Sequence, residues 1–511
     1  MGTAEEHELT RVLRGVGPVL AAVLFAAYPL LSLFEQNQTE LPLSVIWSPL
    51  AVTVAATAAL YLVLALAFKR WLTSGALTAV AVLAFFYYDT FKQDIAGLRL
   101  ADGRVLTLWL ALCAVVAVLL ARTRRSLLTP MLGLTVAAAV LAVAPTLRVA
   151  SYQRAHPALR ASDARLWATP LAPPAKPRPG RPDIYVIIPD DYARADVLKR
   201  YFRYDNSAFV AQLKRRGLTL SEQVRSPYSD SESNIAAELN MDYLTGLPRI
   251  LGKRSQDVRP LKTLMEDSRA ARLAKALGYR NVHLDSDEVT YAGGNPDISS
   301  VATPDSFPSL WLRKSVLRVI GGPIGFDDGA ADERFRRSIR STFSRLEAVA
   351  AQPGPKFVVF HTLVPHDPYI FGARGQPVSF PSTSDTVIHS PRGMAYYRNQ
   401  VKFVEAKLLE TVDVLQARSK QPPVIVIQSD EGFEGEGQTF GEATQQDIRV
   451  KGLLAFSLPG ISRVRAPVPP NTVNTLRYVF NRLFGARYPM LPTASYPDGD
   501  YPYQWTPLRV R

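Results

Sequence analysis

Residues 183–194 read DIYVIIPDDYAR, an apolar and largely β-branched run that ends on two adjacent carboxylates, Asp190 and Asp191. A run this short, rich in Ile and Val and bounded by prolines, predicts a buried β-strand rather than a helix. The two acidic residues would follow the end of that strand, where polar side chains face an opening. We therefore expect a functional rim at this end of the strand.

Two later stretches end in the same way. Residues 357–361 read FVVFH, and residues 424–431 read VIVIQSDE. Continuous apolar strands separated by helical segments indicate a largely parallel sheet, and such sheets bind ligands beyond the carboxyl ends of their strands. The pattern predicts that the three ends bring five polar residues to one rim: Asp190, Asp191, His361, Asp430 and Glu431.

The N-terminal part of the chain has a different composition. Five stretches lack Asp, Glu, Lys and Arg, and each is near the ~20 residues that cross a bilayer core. They are residues 15–34, 45–68, 71–88, 105–121 and 127–147. About five membrane spans are expected, and four are the main alternative. The first does not resemble a cleavable signal peptide, because it lacks a small-residue cleavage pattern and further spans follow.

Basic residues mark one side of these spans. Lysine and arginine occur before the first span, after the second and after the fourth, whereas the other loops carry acidic or mixed charge. By the positive-inside rule the N-terminus lies in the cytoplasm, and after five crossings everything beyond residue 147 lies outside. The sequence predicts a multi-pass membrane protein with an extracytoplasmic C-terminal domain.

A proline-rich segment separates the membrane part from the rest. Residues 169–182 read TPLAPPAKPRPGRP, which favours extended polyproline geometry and a semi-rigid spacer. The expected domains are a transmembrane helical domain at 1–150, a linker at 151–182 and an α/β domain at 183–511. Because the single cysteine, Cys113, lies in the fourth span, the exported domain must be held by its core without a disulfide.

The formal net charge of +14 has two explanations. One is attraction to anionic lipid head groups or cell-wall polymers, and the other is ordinary topology determinants combined with an arginine-rich composition. The second explanation carries more weight. Export of the C-terminal domain disfavours nucleic acid as a partner, so the expected partner is the membrane and its phosphate-containing molecules.

A hydroxyl-rich stretch precedes an apolar-periodic one at residues 226–244, SPYSDSESNIAAELNMDYL. It predicts a loop that enters a helix, whose N-terminus offers free N–H groups and a partial positive charge to an anion such as phosphate. On this stretch alone, a capping box formed by Ser229 and Glu232 explains the serines better than an anion site does.

Four motifs, taken in order, resemble the alkaline phosphatase and sulfatase superfamily. They are IIPDDYAR at 187–194, the serine-rich loop before LNMDYL, HTLVPHDPY at 361–369 and QSDEG at 428–432. The chain is most similar to membrane-anchored sulfatase-like proteins akin to lipoteichoic acid synthases and phosphoethanolamine transferases. The resemblance implies an alkaline-phosphatase-like α/β domain with a mostly parallel sheet, a divalent metal at the strand ends and a Ser or Thr that attacks phosphorus.

The resemblance also implies roles for single residues. Ser231 matches the nucleophile by its spacing to LNMDYL. The implied metal ligands are Asp190, Ser231, Asp430 and Glu431. His361 and His366 match histidines that hold substrate phosphate or a second metal. His283 and Asp285 are left out, because their spacing is not diagnostic.

Two positions depart from the family pattern. Asp190-Asp191 stands where the family usually has Asp-Gly, and Asp430-Glu431-Gly432 stands where it usually has Asp-His-Gly. A carboxylate still ligates a metal, but the exchange of imidazole for oxygen favours manganese, magnesium or calcium over zinc. The expected cofactor is therefore a hard divalent ion.

Two functions fit these motifs. The first is a metal-dependent phosphotransferase or phosphodiester hydrolase in a bacterial-type plasma (inner) membrane, acting on phospholipid head groups or envelope polymers. The second is a catalytically degenerate relative that serves as a binding or assembly module, which the missing histidine favours. No C/S-x-P-x-R motif surrounds Ser231, so sulfate-ester hydrolysis through formylglycine is disfavoured. The retained acids, serine and histidines place the enzyme somewhat ahead.

Overall fold

The structure is a computed structural model of the chain. It describes residues 2–95, 97, 100, 102–157, 171–174, 181–286, 297–301, 307, 311–312, 314–320, 328–378, 390–434, 440–460, 469–497 and 499–508. Most of the expected proline-rich linker, at 158–170 and 175–180, lies outside the described residues.

The chain divides into two units. The first contains Met1–Pro157 and Asp305–Ala331, and the second contains Ala158–Pro304 and Asp332–Arg511. This division differs from the sequence-based boundaries, because residues 305–331 belong to the first unit although the sequence analysis placed them in the α/β domain.

The N-terminal part of the first unit is helical. Its helices are α1 (Gly2–Asn37), a 3-10 helix (Leu43–Ile46), α2 (Trp47–Phe68), α3 (Trp71–Phe86), α4 (Tyr88–Asp94), α5 (Asp102–Arg122) and α6 (Leu128–Ala155). Among the described residues, four helices are long and apolar enough to cross a membrane, or five if α3 and α4, bent by 65°, form one span. Both the expected five spans and their four-span alternative lie within this range.

Helix α1 is the packing centre of the first unit. It contacts α2, α3 and α6, and its Ala21, Ala22 and Ala26 are fully buried. A Cβ atom at Gly75 of α3 would lie 2.5 Å from the Cβ of Pro18 in α1, so only glycine allows the two helices to come this close. Many large apolar side chains of α2, α5 and α6 are exposed instead, as lipid-facing surfaces require.

Two residues from the second part of the first unit, Phe307 and Trp311, pack against aromatic side chains of its N-terminal helices. The rings of Phe307 and Phe34 lie 6.1 Å apart, and those of Trp311 and Phe86 lie 5.6 Å apart. The short helix Leu317–Ile320 follows. Phe307 and Trp311 are almost fully buried, so this segment is part of the apolar core of the first unit.

The second unit alternates strands and helices. Its elements are β1 (Ile184–Pro189), α7 (Ala195–Tyr201), α8 (Ser207–Arg215), β2 (Thr219–Leu220), α9 (Ser231–Asn240), α10 (Pro248–Leu251), α11 (Arg259–Glu266), α12 (Arg269–Ala276), β3 (Arg280–Asp285), β4 (Ile298–Val301), α13 (Asp328–Ala350), β5 (Lys356–Thr362), α14 (Pro391–Arg418), β6 (Val424–Gln428), α15 (Glu442–Arg449), β7 (Leu454–Ser457) and α16 (Val473–Phe484).

The strands form one sheet in the order β2-β7-β6-β1-β5-β3-β4. The strands from β6 to β4 run parallel, and β7 is antiparallel to both of its neighbours. The expected mostly parallel α/β architecture is confirmed. Because β1 lies between β6 and β5, the three strands predicted from the sequence are adjacent, and their carboxyl ends share one edge of the sheet.

The three central strands are buried on both faces. Every residue of β1, β5 and β6 is buried. Along β1, Tyr185 and Ile187 belong to one apolar core, while Ile184, Val186 and Ile188 belong to the other, as the alternation of strand side chains requires. Helices α13 and α14 contribute to the first core, and α9 and α16 contribute to the second. Because the apolar side chains of these strands are used in packing, the polar residues that follow the strand ends are the ones available to form a site.

Glu405 of α14 is a buried carboxylate whose partners include a tyrosine from the turn after β1. Its Oε1 accepts a hydrogen bond from the Tyr192 hydroxyl at 2.7 Å, and its Oε2 accepts one from the Tyr204 hydroxyl. Burial raises the pKa of Glu405 from 4.5 to about 7, although the two tyrosines lower it. The folded state therefore holds this proton more tightly than the unfolded state does, and stability falls as the pH rises from 4.5 through about 7.

Glu405→Gln is expected to remove this loss and to raise the free energy of unfolding above pH 7 by up to about 3 kcal/mol. Glutamine keeps the volume and carries no charge, and its amide oxygen can accept one tyrosine hydroxyl while its NH2 donates to the oxygen of the other. Melting temperatures at pH 4.5 and pH 8, compared with those of the exposed-site control Glu410→Gln on the same helix, measure the effect. A variant that melts below the unmodified protein at pH 8 would contradict the prediction.

Candidate metal and nucleophile site

The turn after β1 carries the two adjacent carboxylates. Asp190 and Asp191 are each 2% exposed, and the Asp190 N–H donates to the carbonyl of Thr362 at the end of β5 at 3.0 Å. Asp191 has φ +60°, which is uncommon for a residue with a side chain. The Tyr397 hydroxyl donates to the Asp191 carbonyl at 2.7 Å and accepts from the Ala193 N–H at 3.1 Å. Tyr397 thereby holds the turn in this conformation.

Three residues from adjacent strand ends converge beyond the sheet. Asp190, His361 and Asp430 each place one ligand atom within 4.8 Å of the others, and all three are buried. The Nε2 atom of His361 lies 3.7 Å from an Asp190 carboxylate oxygen. This group could hold a metal ion, and it contains two of the ligands that the sequence analysis expected together with one of its histidines. The role of each residue remains a prediction.

A third acidic residue orients the histidine. Asp285, at the end of β3, is opposite His361 in the strand register, and its carboxylate lies 3.1 Å from His361 Nδ1. An acceptor at Nδ1 keeps the proton on that nitrogen and turns Nε2 toward Asp190. Burial lowers the pKa of His361, but Asp285 and Asp190 outweigh it, and the pKa lies well above its usual range.

Several buried carboxylate oxygens at this site accept no hydrogen bond from the described residues. Within the described part of the chain, no hydrogen bond reaches the buried Oδ1 of Asp190, Oδ2 of Asp430 or Oε2 of Glu431. Burial, followed by repulsion from Asp190, raises the pKa of Asp430 to about 7. Buried carboxylate oxygens without partners are costly. A divalent cation would satisfy them, so two carboxylates and an imidazole fit such an ion.

The serine-rich loop leads into α9 as expected, but the cap differs from the predicted capping box. Asp230, rather than Ser229, is the N-cap residue, and its carboxylate accepts the N–H of Ser233 at 2.7 Å. Ser231 is consequently the first residue of the helix. An aspartate accepts this N–H as well as a serine does, so the sequence pattern did not distinguish the two.

Ser231 is the serine of this loop that faces the acidic residues. It is partly exposed, whereas Ser229 and Ser233 are buried. Its hydroxyl donates to Glu431 Oε1 at 3.3 Å, and its proximity also lowers the pKa of Asp430. The position of the hydroxyl beside two carboxylates is compatible with the expected nucleophile.

Glu431 lies next to the three candidate metal ligands, Asp190, His361 and Asp430, and is not one of them. It is 2% exposed, and burial raises its pKa well above the usual range although Arg449 lowers it. Because one of its oxygens accepts the Ser231 hydroxyl, Glu431 lies beside the residue that is expected to be the nucleophile. The structure thus places Glu431, an expected metal ligand, in the site, where it contacts Ser231 and is not part of the group that could hold the metal.

His366 lies at the edge of the site, in an ionic cluster with Glu434 and Arg449. Its Nε2 atom is 2.8 Å from Glu434 Oε2, and Arg449 Nη2 is 2.8 Å from Glu434 Oε1. The Glu434 N–H donates to the carboxylate of Asp191. Burial lowers the pKa of His366, but Glu434 and Asp190 outweigh it, and the pKa lies well above its usual range. His366 and His361 therefore occupy different parts of the site.

Four further residues belong to this site: Asp285, which was set aside because its spacing to His283 is not diagnostic, and Tyr397, Glu434 and Arg449, which no sequence motif indicated. Each lies on a segment whose local pattern carries no functional signal. Asp285 becomes recognisable only through its strand register with His361, and Arg449 only through the contact between α15 and the end of β6. Their positions required the tertiary structure.

No protein-family model matches the sequence, and no curated protein matches it. Among solved structures, the chain is similar to the C-terminal periplasmic domain of EcEptC from Escherichia coli, with 11% identity, a TM-score of 0.43, and coverage of 65% of this chain and 94% of that one. It is also similar to the integral membrane protein lipooligosaccharide phosphoethanolamine transferase A (EptA) from Neisseria meningitidis, with 13% identity, a TM-score of 0.38, and coverage of 91% and 95%.

A further similar structure is BT1596, a 2-O GAG sulfatase, with 14% identity, a TM-score of 0.38, and coverage of 60% of this chain and 72% of that one. Identities of 11–14% and TM-scores of 0.38–0.43 transfer no activity to this chain.

Proposed function

We propose that the protein is a membrane-anchored, metal-dependent phosphotransferase or phosphodiester hydrolase that acts on phospholipid head groups or envelope polymers. One observation carries the proposal. The ligand atoms of Asp190, His361 and Asp430 lie within 4.8 Å of one another, and the partly exposed Ser231 at the start of α9 donates its hydroxyl to the adjacent Glu431 at 3.3 Å. A hydroxyl nucleophile next to a cation site is the arrangement that attack on a phosphate ester requires.

Asp190, His361 and Asp430 would hold the ion. Their carboxylates favour manganese, magnesium or calcium over zinc, and the imidazole of His361 makes manganese the best match among these three. When bound, the ion would neutralise phosphate oxygens and lower the pKa of the serine hydroxyl. Asp285 would keep His361 Nε2 directed at this position through its contact with Nδ1.

The chain supplies the remaining chemistry. Ser231 Oγ would form a bond to phosphorus as the bond to the leaving oxygen breaks, and Glu431, 3.3 Å away, would take the hydroxyl proton. The N–H groups at the start of α9 would face the phosphate oxygens. His366 would bind the phosphate or protonate the leaving oxygen. Water or an acceptor hydroxyl would then release the phosphoryl group from Ser231.

Turnover by the purified full-length protein in detergent tests the proposal. With manganese supplied, the protein should release the head group of phosphoethanolamine-bearing phospholipid or cleave a generic phosphodiester, and excess chelator should stop the reaction. A sulfate ester offered in parallel should remain intact. If a broad panel of phosphate donors is left unchanged by protein that retains its metal, the binding or assembly module becomes the better conclusion.

We also propose that the first unit lies in a bacterial-type plasma (inner) membrane with the α/β unit outside. In a Cys113→Ser background, Ala172→Cys should react with a membrane-impermeant maleimide in intact cells, because the positive-inside rule places this residue outside. Ser126→Cys, in the basic loop between α5 and α6, is the matched control and should react only after permeabilisation. The reverse pattern would overturn the orientation.

A further inference from the structure

We propose that Arg449 and His366 form a subsite for a phosphate group of the substrate, which in this structure is occupied by the carboxylate of Glu434. The phosphate binds by displacing that carboxylate. This inference rests on the proposed function, and it adds Arg449 and Glu434 to the residues that determine how substrate enters.

The geometry of the cluster is that of an anion held between two donors. One Glu434 oxygen lies 2.8 Å from His366 Nε2, and the other lies 2.8 Å from Arg449 Nη2. Two oxygens of a phosphate group present the same pair of acceptors, and the planar guanidinium suits either anion. The carboxylate therefore occupies a position that a phosphate can take with the same partners.

Exposure indicates that the Glu434 bridge can open. The side chains of Glu434, Arg449 and His366 are 42%, 24% and 23% exposed. Glu434 is the most exposed member of the cluster, so its carboxylate can turn toward solvent while Arg449 and His366 stay in place. A contrasting pair in the same unit, Lys356 with Asp183, is only 1% and 8% exposed and also ties the backbone of Lys356 to Asp183, as a structural ion pair does.

The cluster adjoins the reactive residues. Arg449 Nε lies 3.9 Å from Glu431 Oε2. The other oxygen of that carboxylate, Oε1, accepts the Ser231 hydroxyl. On the other side, the Glu434 backbone donates to the carboxylate of Asp191. The carboxylate of Glu431 thus lies between Arg449 and the proposed nucleophile, Ser231. A phosphate attacked by Ser231, or one beside it in the same molecule, reaches Arg449 without leaving the site.

Charge explains why displacement matters. The carboxylates of Asp190 and Glu434 repel an incoming phosphate. While Glu434 bridges them, its carboxylate offsets the charges of Arg449 and His366, together with Glu431 beside Arg449 and Asp367 beside His366. Once its carboxylate turns away, the same two groups attract the phosphate and offset part of the repulsion, so the exchange favours phosphorylated molecules over neutral ones.

Binding of inorganic phosphate to the full-length protein in detergent, measured by equilibrium dialysis of radiolabelled phosphate with magnesium present, tests the subsite. Glu434→Gln keeps the shape of the side chain but removes the competing charge, so phosphate should bind about tenfold more tightly. Arg449→Ala should weaken binding about tenfold. Glu442→Gln, an equal charge change at an exposed position on α15, should leave the affinity unchanged.

Two results would overturn the proposal. One is a Glu434→Gln protein that binds phosphate no more tightly than the unmodified protein, and the other is loss of bound metal from that variant, which would make Glu434 a ligand. Because dialysis reads binding rather than turnover, the subsite and the enzyme proposal fail separately. Tighter phosphate binding by an inactive protein supports the subsite alone, whereas normal turnover with unaltered phosphate affinity in Glu434→Gln rejects the subsite alone.

Discussion

Replacement of Ser231 by alanine is expected to reduce phosphodiester turnover by a factor on the order of 10⁴ or more, because alanine offers no oxygen to attack phosphorus. The hydroxyl lies beside Glu431 and is partly exposed, so both the proton acceptor and access for a substrate are present. Initial rates with manganese and a generic phosphodiester measure the loss.

The fold should survive this change. Asp230, and not Ser231, provides the cap of α9, and alanine is well tolerated at the first position of a helix. The melting temperature of Ser231→Ala should therefore match that of the unmodified protein. Ser229→Ala and Ser233→Ala are the matched controls, and both should retain turnover. If activity instead survives in Ser231→Ala and disappears in one of the controls, the nucleophile lies two residues away.

Substitution of either carboxylate of the metal group is expected to abolish stoichiometric manganese binding and, with it, turnover. Asp190→Asn and Asp430→Asn each leave one carboxylate and one imidazole, too few ligands to hold a hard divalent ion tightly. Metal content after dialysis, measured by elemental analysis, gives the result independently of activity. Asp413→Asn, an exposed aspartate paired with Arg216, is the control and should retain the metal.

A smaller loss of metal affinity is expected from substitution of Asp285, which contacts the candidate ligand His361. Asp285→Asn keeps the volume but removes the negative charge that holds the proton on His361 Nδ1, so metal affinity should fall by about 10–100-fold without being abolished. The unoccupied Asp430→Asn protein should be at least as stable as the unmodified protein without metal, since it removes the repulsion between the buried carboxylates of Asp430 and Asp190. Metal retained at full stoichiometry by both Asp190→Asn and Asp430→Asn would reject this site.

The sequence by itself determined the membrane helices and the central strands. Uncharged stretches about as long as a bilayer core is thick, and short apolar runs bounded by prolines, are local properties that burial alone selects. The parallel arrangement then follows from strands separated by helices, and it places Asp190, His361 and Asp430 at adjacent strand ends. This part of the site was predictable because strand direction decides it.

Only the tertiary structure decided which side chains meet. The pairing of Asp285 with His361 depends on strand order and register, and the contact of Glu431 with Ser231 depends on where α9 begins. The bridge of Glu434 between His366 and Arg449, and the packing of Phe307 and Trp311 in the first unit, join segments far apart in the chain. Hydrophobic periodicity records which face of an element is buried, but it holds no information about the partner across that face, which the packing of the whole chain selects.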